Sequence, residues 1–173
     1  LGYGDEPLVI CSVGGTAVGR ELLDLCGAAF PIARRKISDL RMMLVGGPRI
    51  SADSLAVPEG VEVRGYVPAL YEHFAAADLA IVQAGGTATL ELEALRRPFI
   101  YFPLEGHSEQ QVVVAGRLAR HGAGVRMDFS RTTPQTRADA ILENVGKPVS
   151  CPPIAADGAA KAAELVCGLL GGA

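Results

Sequence analysis

The chain repeatedly passes from a short apolar segment into a glycine-rich turn and then into a helical pattern. Residues 8–13, 79–82 and 99–102 are apolar with no polar alternation. Strands of this kind are buried on both faces, as in a parallel sheet that is covered by helices on each side. The pattern therefore predicts an α/β fold, a Rossmann-like parallel sheet with helices on both faces.

The same pattern divides the rest of the chain. The predicted strands are residues 8–13, 41–45, 61–64, 79–82, 99–102 and 124–127. The predicted helices are residues 18–39, 69–77, 87–96, 109–121, 134–145 and 154–170, the first of them kinked or broken at Pro31. Residues 1–7 are interpreted as a linker remnant and residues 8–173 as one domain, a size that 173 residues and 49% hydrophobic content support.

Composition excludes several classes of function. The net charge is −3 and the basic residues are scattered, which does not suggest nucleic-acid binding. There is no apolar segment of transmembrane length and no signal-peptide pattern at the start of the chain. The four cysteines form no Cys-x-x-Cys pair and no metal-ligand spacing, so we interpret Cys11 and Cys167 as buried free thiols and predict a cytoplasmic protein without a metal site.

The first glycine turn, Gly14-Gly15-Thr16, joins a strand to a helix. It is either a turn that faces a phosphate or an ordinary tight turn. It matches neither Gly-x-Gly-x-x-Gly nor the P-loop pattern. The second strand also ends without the acidic residue that an NAD site requires, which disfavours a dehydrogenase.

The second glycine turn, Gly85-Gly86-Thr87, precedes another predicted helix. The start of a helix offers unpaired N–H groups and the positive end of the helix dipole, which suit a phosphate. Glu91 follows Thr87 by four residues, so it shares a helix face with the turn and can reach a nearby sugar. The alternative is an ordinary helix start with a solvent-facing Glu91. Glu93 points elsewhere on the helix and is predicted to have no role.

A polar loop, residues 106–111, follows the strand at 99–102. Gln110 and Gln111 supply amide groups that suit sugar hydroxyls. His107 is a weak candidate for a general base, and a donor to phosphate or sugar oxygen is the preferred interpretation. An alternative is a capped helix start, with Ser108 as the N-cap residue and Gln111 completing a capping box.

These motifs together resemble the C-terminal, nucleotide-sugar-binding half of GT-B glycosyltransferases, and in particular the MurG-like transferases. The resemblance covers residues 8 to about 170. Its most specific parts are Gly-Gly-Thr-x-x-x-Glu ending at Glu91, the Pro-x-x-x-x-Pro that starts at Pro98, and the pair Gln110-Gln111. It implies a hexosyltransferase whose reaction also needs an N-terminal domain that binds the acceptor, so this domain alone is expected to be inactive.

The resemblance also implies roles for single positions in the binding of a UDP-sugar. Groups expected near the diphosphate are the glycine loop Gly14, Gly15 and Thr16, and the backbone N–H groups of Gly86, Thr87 and Ala88, which follow Gly85. Groups expected at the nucleoside and the sugar are Tyr66 and the Val67 backbone at the base, Glu91 at the ribose, and Gln110 and Gln111 at the donor sugar.

Differences from the sequence patterns of related glycosyltransferases bear on the expected stereochemistry, cofactor and donor sugar. Retaining GT-B enzymes carry a second glutamate eight positions before the ribose glutamate, where this chain has Gln83, so an inverting reaction is favoured. The chain has no Asp-x-Asp pair, so no metal or other cofactor is expected. Residues 106–110 differ from the MurG pattern, which leaves the sugar open between GlcNAc and related hexoses.

Because the resemblance covers only the donor-binding half of such an enzyme, several other functions stay open. The chain could be the donor-binding subunit of a two-chain transferase, associated with a membrane through the missing domain or a partner. It could also belong to a UDP-sugar epimerase or hydrolase of the same fold. A non-catalytic nucleotide-binding module is the last alternative, and it would not distinguish UDP from a UDP-sugar.

Overall fold

The computed structural model describes residues 1–15 and 17–171. Its centre is a sheet of six parallel strands in the order β3-β2-β1-β4-β5-β6. The strands are β1 (Leu8–Ser12), β2 (Arg41–Val45), β3 (Val61–Arg64), β4 (Leu79–Gln83), β5 (Phe99–Phe102) and β6 (Val125–Arg126). The prediction of a Rossmann-like parallel sheet is confirmed.

Among the described residues, six α-helices accompany the strands: α1 (Arg20–Arg34), α2 (Leu70–Ala76), α3 (Gly86–Ala94), α4 (Ala115–His121), α5 (Pro134–Asn144) and α6 (Gly158–Gly171). The segment Glu109–Val114 is a π-helical turn that leads directly into α4. Within the described part of the chain, no helix is long and apolar enough to cross a bilayer.

Two hydrophobic cores lie on opposite faces of the sheet. On one face, side chains of α1 and α5 such as Phe30 and Ile141 pack against Val9 and the strand residues that point the same way. On the other face, Phe74 and Leu92 of α2 and α3 pack with α4 against the alternate strand residues. Helices on both faces follow directly from strands that are apolar on both sides.

Helix α1 differs from the prediction because it continues through Pro31 and ends at Arg34. Proline removes one helical hydrogen bond, but Pro31 lies close to the end of the helix with its side chain exposed. Phe30 and Ala33, on either side of it, are buried in the core. Their packing holds the helix together across the proline.

The C-terminal helix α6 corrects one prediction about the cysteines. Cys11 is buried as expected, but Cys167 is exposed. The apolar side chains around it are exposed as well, with Leu169 at 82%. Cys167 lies on an apolar helix face, as its sequence pattern indicates, but that face does not pack against the domain.

Residues 1–7 contain no helix or strand, yet Tyr3 packs against the domain. Its hydroxyl oxygen lies 2.5 Å from Nδ1 of His73, and its ring meets the His73 ring edge-on at 5.7 Å. The same hydroxyl lies 3.7 Å from the sulfur of Met43. Tyr3 therefore anchors this segment beside α2.

Candidate functional site

The sheet reverses its order between β1 and β4, and the candidate site lies at the carboxyl ends of these two strands. Connections from β1 and β4 run to opposite faces of the sheet, which opens a crevice there. Two adjoining hollows occupy it, and both are lined by Ser12, Gly14 and Gly15. We call them the first and the second hollow.

The first hollow has a volume of about 370 Å³. It brings together five residues that the sequence singles out from distant positions: Gly14, Gly15, Tyr66, Val67 and Glu91. The rest of its lining is Ser12, Val45, Gly47, Pro48, Ala69, Leu70 and Tyr71. The structure thus places the predicted base and ribose positions around one hollow.

Glu91 and Tyr66 differ in their exposure at this hollow. Tyr66 is 69% exposed and forms part of the rim. Glu91 is half-buried on α3, and burial raises the pKa of its carboxyl group. A partly desolvated carboxylate is a strong acceptor for hydroxyl donors.

The second hollow has a volume of about 360 Å³ and lies on the other side of the Gly14-Gly15 turn. Its predicted residues are Gly14, Gly15, Gly85, Ala88, His107 and Gln110. The other lining residues are Ser12, Val13, Val18, Val82, Gln83 and Leu104.

The first turn of α3 faces the second hollow through Gly85 and Ala88. Gly85 is the N-cap residue, and it supplies no side-chain cap. Thr89 is the first residue whose N–H group donates back, to the Gly85 carbonyl at 3.2 Å. Gly86, Thr87 and Ala88 therefore carry the N–H groups that no helical carbonyl accepts.

A carboxylate lies near this helix start. Oε1 of Glu109 is 3.9 Å from the position that a Cβ on Gly86 would occupy. A negative charge is favourable at the start of a helix. The Glu109 carboxylate therefore lies in the region where an anionic ligand of α3 would also bind.

The two adjacent glutamines have different positions. Gln110 lines the second hollow, and its Oε1 accepts a hydrogen bond of 2.9 Å from the Leu104 N–H group. This leaves its Nε2 as the donor for a ligand. Gln111 donates instead to the carbonyl oxygens of Pro103 and Leu104, and it does not line either hollow. Its predicted contact with the donor sugar stays a prediction.

The capping-box interpretation of this loop is wrong. Ser108 has helical backbone angles and makes no side-chain cap. Gln111, which would complete the box, uses its side chain on the loop after β5. The segment begins as a π-helical turn, so its first residues do not have the spacing that a capping box requires.

Close backbone packing shapes the floor of the site. Gly14 has φ +74° and Gly47 has φ +71°, values that favour glycine. A Cβ built on Gly47 would overlap the Gly14 carbonyl oxygen. Thr16, the third residue of the first glycine turn, lies outside the described residues.

A third hollow of about 240 Å³ adjoins the second one, and sequence reasoning did not single it out. The two share Val18, Gln83 and Leu104. The third hollow also includes Phe102, Phe129, Glu21 and Glu105. The exposed apolar side chains Val18 and Phe129 belong to separate turns, and only the fold shows that they are neighbours.

Glu93 lies on the opposite side of α3 from the hollows, as predicted, but it is buried. Its carboxylate pairs with Arg117 of α4. His121 Nδ1 lies 3.4 Å from Glu93 Oε1, and that oxygen accepts no hydrogen bond among the described residues. Sequence reasoning missed Arg117, because nothing in the local pattern of α4 indicates its buried partner.

Curated proteins that are similar to this chain include proteins named glycosyltransferase and N-acetylglucosamine transferase. An uncharacterised glycosyltransferase of Methanopyrus kandleri is 28% identical over 96% of this chain and 46% of its own length. The UDP-N-acetylglucosamine–N-acetylmuramyl-(pentapeptide) pyrophosphoryl-undecaprenol N-acetylglucosamine transferase of Mycolicibacterium vanbaalenii is 28% identical over 82% of this chain and 35% of its own length. The chain thus spans less than half of each relative.

Solved structures support the fold. MurG of Acinetobacter baumannii superposes with a TM-score of 0.59 at 20% identity, over 82% of this chain and 42% of MurG. The calicheamicin glycosyltransferase superposes with a TM-score of 0.67 at 20% identity, over 84% of this chain and 35% of that protein. Both neighbours have the GT-B fold. The family model for glycosyl transferases group 1 matches residues 7–145, and the chain belongs to this family.

Proposed function

We propose that this chain is the donor-binding part of an inverting, metal-independent glycosyltransferase that binds a UDP-sugar, with UDP-GlcNAc or a related hexose as the donor. One observation carries the proposal. The Gly14-Gly15 turn lines both hollows at the switch point of the sheet, and the first turn of α3, with its unpaired N–H groups, lines the second of them. Such an arrangement suits a ligand with a diphosphate at its centre.

The first hollow suits the nucleoside. Tyr66 and Val67 lie at the end of β3, where the base would bind, and the backbone of Val67 is the proposed partner of uracil. Glu91 lies in the same hollow with a half-buried carboxylate, and we assign it to the ribose hydroxyls.

The diphosphate binds between the hollows in this proposal. The N–H groups of Gly86, Thr87 and Ala88 point along the axis of α3, and the helix dipole adds positive potential at the same end. Gly14 and Gly15 line both hollows and bring backbone close to the ligand. When the bond to the sugar breaks, these groups stabilise the charge that develops on the leaving diphosphate.

The second hollow suits the sugar. Nε2 of Gln110 is available to a sugar oxygen, and His107 and Gln83 line the same hollow. We assign His107 to a hydrogen bond with phosphate or sugar oxygen. Gln83 is neutral and stands where retaining relatives are expected to have a second glutamate, which supports inversion.

The reaction follows from this placement. A hydroxyl oxygen of the acceptor attacks the anomeric carbon from the side opposite the diphosphate and forms the new glycosidic bond. The bond between the anomeric carbon and the diphosphate oxygen breaks, so UDP leaves and the configuration inverts. The hydroxyl proton passes to a base that we assign to the acceptor-binding domain, in the same or a partner chain.

A calorimetric titration of this chain tests the proposal. UDP is expected to bind in preference to TDP, GDP and NAD, and one UDP-sugar is expected to bind more tightly than UDP. Equal affinity for UDP and every UDP-sugar would indicate a nucleotide-binding module instead. Absence of binding by all of these compounds would refute a donor site that is complete in this chain.

A further inference from the structure

A buried polar network connects helix α4 with the first turn of α3. Arg117 of α4 donates from Nη2 to Oγ1 of Thr89 over 2.9 Å, and its Nη1 pairs with Oε2 of Glu93. Thr89 is fully buried and Glu93 is 1% exposed. The guanidinium therefore holds two positions of α3, one helical turn apart, with two separate nitrogen donors.

Thr89 carries this connection to the glycine turn. Its Oγ1 lies 2.9 Å from the Gly85 carbonyl oxygen and 3.1 Å from the Gly86 carbonyl oxygen, and it donates to them. Since Arg117 donates to the same hydroxyl, the hydroxyl proton is directed towards the two carbonyls. Charge-assisted bonds of this kind are stronger than neutral ones.

The glycines themselves provide little restraint at this place. A Cβ on Gly85 would meet nothing within 4 Å, and the one neighbour near Gly86 is the Glu109 carboxylate at 3.9 Å. Glycine also has more backbone freedom than any other residue. The orientation of the first N–H groups of α3 therefore depends on the hydrogen bonds to the Gly85 and Gly86 carbonyls, to which the Thr89 hydroxyl contributes beside the backbone N–H of Thr89.

Burial of the network also explains why it needs both charges. Burial lowers the pKa of Arg117, because the guanidinium is partly withdrawn from water. The Glu93 carboxylate compensates the guanidinium for its loss of contact with water. Arg117 in turn neutralises the Glu93 carboxylate, which the helix dipole disfavours because it lies close to the C-terminal end of α3. Loss of one partner would leave the other charge buried and unpaired.

We propose that Arg117 is a positioning residue for the donor, which acts through Thr89 to fix the first turn of α3 in the orientation that binds the diphosphate. This inference rests on the proposed function, because it concerns the same phosphate-binding turn. It goes further by naming a residue outside the hollows. Arg117 is predicted to affect the phosphate part of the ligand and not the nucleoside part.

The test compares UDP with uridine as ligands of the same variants. Thr89→Val keeps the side-chain volume and removes the hydroxyl, and we expect it to weaken UDP binding about fivefold, the factor that one lost hydrogen bond produces. Uridine binding, followed by NMR at millimolar concentration, is expected to stay unchanged. Arg117→Lys keeps the charge but loses the two-pronged geometry, and it is expected to act in the same direction. Thr89→Ser restores the hydroxyl and should restore UDP affinity.

Thr133→Val is the matched control, since it removes a threonine hydroxyl that caps α5 on the opposite face of the sheet. It should bind both ligands as the unmodified chain does. Equal losses for UDP and uridine in Thr89→Val, or no loss for either, would overturn the positioning role. If Thr89→Val does not fold, the Arg117→Lys comparison decides. If the unmodified chain does not bind UDP, the proposed function itself fails, which is a different result.

Discussion

Arg126 of β6 donates from Nη2 to Oε1 of Gln111 over 2.7 Å. The amide nitrogen of Gln111 lies 3.1 Å from the carbonyl oxygen of Pro103 and 3.0 Å from that of Leu104. Gln111 thus links the edge strand to the loop that follows β5. Gln110 contacts the same loop with its carbonyl oxygen and lines the second hollow. Of these two adjacent glutamines, Gln111 therefore holds the loop in place and Gln110 is available to a ligand.

This division predicts different results for two substitutions. Gln111→Ala is expected to lower the free energy of unfolding by about 1–3 kcal/mol, because it removes the bonds that hold the loop. Gln110→Ala removes a single loop hydrogen bond, so it is expected to lower stability by less and to reduce the preference for a UDP-sugar over UDP. Denaturant unfolding and calorimetry measure the two effects. The division would be wrong if Gln111→Ala unfolded like the unmodified chain.

A second prediction concerns Glu91 at the first hollow. Glu91→Ala is expected to weaken UDP binding by about 1–3 kcal/mol, because the ribose hydroxyls lose a buried acceptor. Glu59→Ala is a suitable control, since Glu59 is exposed and outside both hollows. Calorimetric titration measures both variants. An affinity of Glu91→Ala equal to that of the control would remove Glu91 from the site.

The same residue predicts a dependence of stability on pH. Burial raises the pKa of Glu91, so the folded chain holds the proton more tightly than the unfolded chain does. This contribution to stability is complete below the unfolded pKa and is lost as pH rises through the folded pKa. At pH 7 the ionised carboxylate therefore destabilises the fold, and Glu91→Gln should melt at an equal or higher temperature while it binds UDP more weakly. A lower melting temperature for Glu91→Gln at pH 7 would contradict this prediction.

Glu109 is predicted to compete with the diphosphate. Its Oε1 lies 3.9 Å from the Cβ position of Gly86, at the start of α3. Glu109→Gln is expected to strengthen UDP binding by about 0.3–1 kcal/mol, with a smaller gain at high salt. Glu105→Gln, four residues earlier in the chain and at the third hollow, should have little effect. Titrations at low and high ionic strength measure the gain, and equal gains from both variants would indicate only a change in net charge.

The sequence indicates those parts of the site for which residues close together in the chain form a recognisable pattern. The apolar strands and the glycines after them indicate the sheet and its carboxyl edge, and Glu91 follows from its helical spacing to Thr87. Arg117 and Arg137 carry no such signal, because both occupy ordinary helical positions. Arg137 is fully buried with its guanidinium 3.8 Å above the Phe102 ring. Only the packing of α5 on the sheet brings Arg137 and Phe102 together.

The last prediction concerns Gly47, where the turn after β2 meets the turn after β1. Its φ of +71° is unfavourable for other residues, and a Cβ there would overlap the Gly14 carbonyl oxygen. Gly47→Ala is therefore expected to lower stability by about 1–3 kcal/mol and, since Gly47 lines the first hollow, to weaken UDP binding. Gly65→Ala is the matched control at the same edge of the sheet, because a Cβ on Gly65 would meet nothing within 4 Å. It should change stability by no more than about 0.5 kcal/mol. Equal stability of the two variants would show that the contact of Gly47 with Gly14 does not shape this site.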